Sequence, residues 1–155
     1  MVGRQGRLLF FGSGGYTLVE IIITLALFGI LAGIAIPGLV ALLPTYRLSS
    51  SVRQVQSELH RIKMQAVSEQ VGFQLVFVEG APVYTILRAG VPWATKPLAD
   101  GIVITRTGKI SFSPQGTAGS DRVRLSNPNS VCTQIVVSAT GRIRICKPAK
   151  CHEDC

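Results

Sequence analysis

Pairs of arginines occupy alternate positions in two stretches near the C-terminal end of the chain. Arg142 is followed by Arg144, and Arg122 with Arg124 repeats the spacing. On a strand, side chains two residues apart project from the same face, about 7 Å apart. Guanidinium groups placed in this way, with Lys147 close by, can contact phosphate oxygens without reading base sequence. These residues are candidates for binding DNA or another anion, and the alternative is that they are solvated or contact another subunit.

The positive charge of the chain is concentrated around these arginines. The formal net charge is +8, and residues 101–150 contain eight basic residues against the single acid Asp121. A local excess of this kind favours anionic partners such as nucleic acid, lipid headgroups or acidic proteins. The basic residues are Arg106, Lys109, Arg122, Arg124, Arg142, Arg144, Lys147 and Lys150.

The four cysteines, Cys132, Cys146, Cys151 and Cys155, all lie in the last quarter of the chain. An even number of clustered cysteines after an apolar anchor predicts disulfides and an oxidising compartment. Residues 131–138 and 142–146 alternate like strands around a turn, and such a hairpin places Cys132 nearly opposite Cys146. We therefore predict a Cys132–Cys146 disulfide, with Cys151 and Cys155 paired to each other or free.

Catalysis by the chain itself is not predicted. The two histidines, His60 and His152, are far apart in sequence, and no nucleophile has a base at a useful spacing. A metal site formed by Cys151, His152 and Cys155 is an alternative to a disulfide, but its spacing fits no standard zinc pattern. The sequence therefore predicts a protein that is not an enzyme and that holds no cofactor and no metal.

In the N-terminal region the small residues of a candidate cleavage site come before the apolar stretch. A signal with this order keeps its apolar helix after cleavage. Glycines at 12, 14 and 15 precede a run without charged residues, 21–46, whereas an ordinary secretory signal has its apolar stretch before the cleavage site. A charge-free run of this length can cross a bilayer core of ~30 Å as a helix. Cleavage after Gly15 would leave this helix on the mature protein.

A single acid, Glu20, lies at the start of the apolar run. A carboxylate costs roughly 2.5–3.5 kcal/mol at the centre of a membrane, so it requires a partner. Cleavage after Gly15 creates an α-amino group on Tyr16, which is one helical turn away on the same face. The amine of a neighbouring subunit could pair with Glu20 instead and would then set the register between subunits.

The segment GGYTLVEIIITLALFGILAGIAIPG, residues 14–38, resembles the class III signal of type IV pilins and type II secretion pseudopilins. The resemblance implies a prepilin peptidase that cuts after Gly15 and methylates the new N-terminus at Tyr16, where the family usually has phenylalanine. It also implies that Glu20 is required for filament assembly, and Pro37 falls at a matching position. The implied fold is the pilin fold, and the implied partners are other pilins or pseudopilins in a filament.

Residues 110–120 and 136–146 resemble the GspH/FimT branch, which holds the H-type pseudopilins of type II secretion and the FimT-type minor pilins. This resemblance implies a minor subunit near the tip of a type II secretion pseudopilus or a type IV pilus. In FimT-type pilins a C-terminal Gly-Arg-x-Arg stretch binds DNA during natural transformation, and residues 141–144 read Gly-Arg-Ile-Arg here. Double-stranded DNA or secreted proteins are therefore alternative partners.

Periodicity predicts an α+β protein, with one long N-terminal helix followed by a small antiparallel β-sheet domain. In that domain residues 73–79 and 83–88 should form a hairpin around the turn 79–82, followed by a Pro/Gly-rich loop that Trp93 anchors on the core. Ile143 and Ile145 should face the core, opposite to the arginines with which they alternate.

We expect a leader at 1–15, a membrane and filament-core helix at 16–44, an amphipathic helix at 45–71 and a periplasmic β domain with disulfides at 72–155. Together with the cysteines, the resemblance to pilins implies a location in the bacterial inner membrane, crossed once, with the C-terminal domain in the periplasm. An apolar stripe on the second half of the helix should face the sheet, and its members are Leu48, Val52, Val55, Leu59, Ile62 and Ala66.

Overall fold

The computed structural model describes residues 16–148, Cys151 and Glu153. The predicted leader with Gly15, as well as His152 and Cys155, lies outside these residues. A single long helix precedes eight strands in the described residues, which confirms the predicted α+β class. The elements are α1 (Leu18–Glu69), β1 (Phe73–Phe77), β2 (Val83–Arg88), β3 (Val91–Pro97), β4 (Val103–Ile104), β5 (Gly108–Phe112), β6 (Asp121–Ser126), β7 (Cys132–Val137) and β8 (Ile143–Cys146).

The chain forms two compact units, with the boundary between Val40 and Ala41. The described part of the first unit is helical from Leu18, and all of its side chains are exposed. Helix α1 contains an 18-residue window with a mean hydropathy of 2.5, none of it buried, so its length and composition suit a membrane span. Both Pro37 and Pro44 lie within α1, so neither proline ends the helix.

The second unit buries the predicted apolar stripe of α1. Leu48, Val52, Val55, Leu59, Ile62 and Ala66 are all at most 3% exposed, which confirms the predicted face. The stripe recurs every three or four residues and therefore stays on one side of the helix. It packs in one core with buried side chains from both sheets, among them Phe73, Tyr84, Val123 and Ile135.

The strands form two antiparallel four-stranded sheets, with the orders β3-β2-β1-β5 and β4-β6-β7-β8. The predicted hairpin around residues 79–82 is present as β1 and β2, in which Phe73 pairs with Arg88 and Phe77 with Tyr84. No described strand of the second sheet pairs with β5, and the one isolated bridge that the described backbone forms at the end of β5 joins Phe112 to Ala118, in the segment before β6. The sheet therefore divides at this point, where the sequence predicted a single sheet.

The prediction of a loop around Trp93 is wrong, because these residues form strand β3. Pro92 and Pro97 suggested that no strand could form there, but β3 is an edge strand, where a missing N–H is tolerated on the unpaired side. Trp93 is 48% exposed and packs edge-on against Phe73, with the ring centroids 6.0 Å apart. The guanidinium of Arg61 lies 5.3 Å from the indole ring, so Trp93 covers the rim of the core as predicted.

A buried carboxylate joins α1 to β3. Glu58 is 7% exposed; Arg61 Nε donates to its Oε1 at 2.9 Å, and Lys96 Nζ donates to its Oε2 at 2.8 Å. Burial by itself raises the pKa of Glu58, but the hydrogen bonds and positive charges of Arg61 and Lys96 outweigh it and hold this pKa below its ordinary value of 4.5. The ionised form of Glu58 is therefore the one that stabilises the fold.

Acid is expected to remove this contribution. Because the pKa is lower in the folded state, the stabilisation is fully present above pH 4.5 and is lost as the pH falls through the folded value. Glu58→Gln should lower the free energy of unfolding by about 1–3 kcal/mol at pH 7, and less at low pH. Thermal melts of parent and variant between pH 7 and pH 3 would measure this. A difference in melting temperature that stayed constant with pH would contradict the role of the charge.

Candidate functional site

The exposed arginines of the basic region lie at the edge of the second sheet. Strand β8 is the terminal strand of that sheet, and both Arg142 and Arg144 are exposed. Arg144 pairs with Val136 of β7, which also pairs with Arg122 of β6 on its other side. Residues directly opposite each other share a face, so Arg122 and Arg144 lie on one face about 10 Å apart, two strand spacings. The structure thus brings three of the predicted arginines to one region.

The prediction that Arg122 and Arg124 form a second exposed pair is wrong for Arg124. Its side chain is 8% exposed, and its Nη2 donates to the backbone oxygen of Glu153 at 2.9 Å. Gln134, which pairs with Arg124 in the neighbouring strand, is fully buried. The C-terminal segment covers this part of the sheet, which alternation within a strand cannot reveal. Arg124 is therefore not available to an external anion in this arrangement.

The disulfide prediction is also wrong, because the structure joins Cys132 to Cys151, with 5.3 Å between the Cα atoms. The turn before β8 is closed by a hydrogen bond from Ser138 N to Arg142 O at 3.0 Å. This register places Cys146 opposite Gln134, two residues away from the position of Cys132. The predicted hairpin is present, but its cysteines do not face each other.

The remaining cysteine predictions change as a consequence. Cys146 is also disulfide-bonded, so it is not free to pair with Cys132. Because Cys151 is bonded to Cys132, a pair between Cys151 and Cys155 is excluded. The thiolate of Cys151 is equally unavailable to the alternative metal site. The observed bond ties the C-terminal segment to the start of β7, beside the face on which Arg124 is covered.

The glycine before the exposed arginines has a structural role that sequence reasoning missed. Gly141 has a φ of +73°, and an added Cβ would lie 2.5 Å from the backbone oxygen of Gly116. Lys63 of α1 donates from Nζ to Gly141 O at 3.0 Å. The turn before β8 is thus held to the helix by the side chain of Lys63 and lies against the backbone of Gly116. The Thr-Gly pair in this turn was the available signal, because glycine favours a left-handed conformation.

The isoleucines that alternate with these arginines differ in burial. Ile143 is partly buried and packs against the core, as predicted. Ile145 was predicted to face the core as well, but it is 40% exposed. Ile145 is exposed because a groove opens between the C-terminal end of β8 and residues 45–53 of α1. Lys147 is exposed and lines the same groove.

The N-terminal end of α1 contains the second candidate site. Thr17 caps the helix, since its Oγ1 accepts a hydrogen bond from Glu20 N at 3.2 Å. Thr17 and Glu20 have the spacing of a capping box, which sequence reasoning did not identify, and an acid in the first turn is favoured by the helix dipole. Tyr16 is 79% exposed. The roles of Tyr16, Glu20 and Pro37 in processing and assembly stay predictions.

A comparison with protein families bears on the N-terminal region. Residues 11–36 match the prokaryotic N-terminal methylation motif, a segment that contains Tyr16 and Glu20. No curated protein matches the chain.

Three solved structures, of two pilin-like proteins, share the fold. The minor pseudopilin EpsH from the type 2 secretion system of Vibrio cholerae is 12% identical with a TM-score of 0.56, over 67% of this chain and 99% of EpsH. The type IV minor pilin FimU of Pseudomonas aeruginosa is 14% identical with a TM-score of 0.56, over 70% of this chain and 97% of FimU. A second crystal form of FimU gives 16% identity and a TM-score of 0.54, over 68% of this chain and the whole of FimU.

Proposed function

We propose that this chain, which has the type IV pilin-like fold of the GspH/FimT kind, is a minor pilin or pseudopilin that joins a filament near its tip. A prepilin peptidase cuts it after Gly15 and methylates Tyr16. The filament is the pseudopilus of a type II secretion system or a type IV pilus. The observation that carries the proposal is an N-terminal methylation motif that leads directly into an exposed apolar helix.

The exposed helix supports assembly because it cannot remain uncovered in water. Its large apolar side chains are widely exposed, for example Phe28 at 71% and Ile34 at 74%. An apolar surface of this extent requires lipid or another protein. Lipid covers it in the inner membrane before assembly, and the helices of neighbouring subunits cover it in the filament. The pair between Glu20 and an N-terminal amine then fixes the position of one subunit against the next.

The proposed organisation follows from this role. Residues 1–15 form the leader, 16–44 the membrane and filament-core helix, 45–71 the amphipathic helix and 72–155 the periplasmic domain. The Cys132–Cys151 disulfide supports an oxidising location for that domain. The role is structural rather than enzymatic, and the covalent processing is done to this chain by the peptidase.

Filament recovery tests this proposal. A copy tagged at the C-terminus is expressed in the native host, filaments are sheared or extracted, and their subunits are identified by mass spectrometry. We expect the tagged chain in the filament fraction at low abundance, beside the major pilin or pseudopilin. A chain found solely in the membrane fraction, under conditions in which the major subunit assembles, would contradict the proposal.

A second candidate function is DNA binding by the basic face, in the manner of FimT-type minor pilins. The observation that favours it is the exposure of Arg142 and Arg144 at the edge of the second sheet, with Arg122 on the same face as Arg144 about 10 Å away. Guanidinium groups on a rigid edge suit phosphate contacts, which are independent of sequence and sensitive to salt. Arg124 is not part of this surface in the structure, because the C-terminal segment covers it.

We expect a soluble fragment beginning at Thr45, with its disulfides formed, to shift duplex DNA without sequence preference. Arg142→Gln with Arg144→Gln should weaken binding several-fold and reduce the slope of log affinity against log salt by about 2, since two phosphate contacts are lost. The melting temperature of this double variant should be nearly that of the parent fragment, because exposed charges add little to the stability of the fold. Gel-shift titrations at several salt concentrations would measure both effects.

The matched control for DNA binding is Arg106→Gln with Lys109→Gln, which removes the same charge from exposed positions outside β8. This control should bind nearly as well as the parent. Equal weakening by both double variants would assign the binding to net charge rather than to β8. Negligible binding by the parent fragment would refute the DNA candidate and leave the structural role unaffected.

A further inference from the structure

An open groove lies at one end of the core of the second unit. The α1 residues that line it begin at Thr45, at the end of the apolar run 21–46. Its walls are residues 45–53 of α1 and the ends of β7 and β8, and its volume is about 250 Å³. This volume is below the ~300–1,000 Å³ typical of a site that encloses a whole small molecule. The groove is therefore suited to holding one end of a larger molecule.

The groove has an apolar floor and a basic rim. Leu48 and Val52 lie at the floor, 2% and 3% exposed, while Val131 and Ile145 are 45% and 40% exposed. Its charged lining residues are Arg53 and Lys147, both exposed, and no acid of the described chain lines it. The chemistry that complements these walls is a hydrocarbon body with a negatively charged head.

The position of the groove along the chain limits what can reach it. Thr45 follows Val40, the last residue of the first unit, by five residues, which span at most about 18 Å. Within the second unit, exposed apolar side chains lie just before and at the start of the groove, Leu42 at 65% and Tyr46 at 72%. Tyrosine is enriched at the membrane–water interface. When the preceding helix crosses a bilayer, the groove lies within reach of the lipid headgroups.

We propose that this groove binds an anionic phospholipid. The headgroup phosphate lies between Arg53 and Lys147, and the first part of an acyl chain covers Leu48, Val52 and Ile145. The inference rests on the proposed membrane anchoring of residues 16–44. It adds a lipid contact that would hold the periplasmic domain against the membrane before the subunit enters a filament.

A neighbouring copy of this chain fits the groove less well. Its apolar helix contains one acid, Glu20, and the proposed assembly pairs that carboxylate with an N-terminal amine. Such a helix would bring no free negative charge to Arg53 and Lys147. A phospholipid supplies both the hydrocarbon and the charge in one molecule.

Native mass spectrometry of the full-length protein, released from mixed micelles, tests the proposal. The probes are phosphatidylglycerol and phosphatidylcholine with identical acyl chains, added at equal concentration. We expect phosphatidylglycerol to be retained roughly fivefold or more over phosphatidylcholine, the effect of at least one cation at the headgroup. Arg53→Gln with Lys147→Gln should bring the two lipids to equal retention. Ile145→Ser should lower the retention of both lipids. Inorganic phosphate should not displace phosphatidylglycerol, because inorganic phosphate has no hydrocarbon to cover the apolar floor.

The control for lipid binding is again Arg106→Gln with Lys109→Gln, which should keep the preference for phosphatidylglycerol. Equal retention of the two lipids by the parent would overturn the proposal, and so would an equal loss of preference in both double variants. A photo-crosslinker at residue 145 that captured a pilin helix in cells, and no lipid, would make the groove a subunit interface instead. Resistance to alkaline extraction reports membrane anchoring separately, so a failed lipid test is distinguishable from a failed pilin assignment.

Discussion

Glu20→Ala should leave the protein processed and membrane-anchored but reduce its recovery in sheared filaments to background. Losing a charge makes membrane insertion easier, by roughly 2.5–3.5 kcal/mol at the bilayer centre and less near its edge. The same change removes the partner of the N-terminal amine, so an incoming subunit would bury an unpaired positive charge. Fractionation of membranes and filaments from the same cells, followed by quantitative immunoblotting, would measure both effects.

Two further variants separate the charge of Glu20 from its place in the helix cap. Glu20→Gln keeps a polar side chain at the capping-box position but has no charge, and it should fail to assemble in the same way as Glu20→Ala. Thr17→Ala removes the observed hydrogen bond to Glu20 N, at a cost of about 0.5–2 kcal/mol in helix stability, yet it should still assemble. Normal filament recovery of Glu20→Ala would show that the carboxylate has no assembly role.

Gly141→Ala should markedly lower the stability of the periplasmic domain. The left-handed backbone at φ +73° costs an alanine about 1–2 kcal/mol. In addition, the new Cβ would lie 2.5 Å from the oxygen of Gly116 and 2.9 Å from Nζ of Lys63, so the turn must move away from α1. Thermal unfolding of the fragment from Thr45 should show a large decrease in melting temperature. If the basic face binds DNA, this variant should also bind it less well.

Gly80→Ala is the matched control for this substitution. Gly80 has a similar φ of +77°, but an added Cβ there would meet no atom within 4 Å. It should therefore show the backbone cost alone, a decrease in melting temperature of about 4 °C for each kcal/mol in a fragment of this length. Equal decreases in the two variants would mean that the close contact of Gly141 with Gly116 adds nothing to stability.

Local periodicity was sufficient to predict much of the fold. The stripe from Leu48 to Ala66 repeats at helical spacing, and burial of all its members follows directly from that spacing. The hairpin of β1 and β2 was signalled by alternation on both sides of a turn that contains Gly80 and Pro82. Strand β3 was missed because its two prolines argue against a strand, and whether a strand lies at a sheet edge is decided by tertiary structure.

The candidate sites were less predictable, because they depend on register and on contacts distant in sequence. A shift of two residues in the β7–β8 register separates Cys132 from Cys146, and composition does not fix such a shift. Arg122 and Arg124 have identical local spacing, yet Glu153 covers one of them from 29 residues away. Gly141 was predicted to lie in the hairpin turn and in an arginine motif, but its close contacts with Gly116 and Lys63 depend on residues distant in sequence.

The intact mass of the protein extracted from its native membrane tests the central claim most directly. We expect a chain that begins at Tyr16, carries one added methyl group and retains the apolar helix. Gly15→Ala should instead yield a chain that still begins with the leader, because a side chain at the cleavage site obstructs the peptidase. A mature parent protein that begins at Met1, or beyond the apolar helix, would contradict the pilin assignment, and a Tyr16 start in Gly15→Ala would contradict the proposed signal.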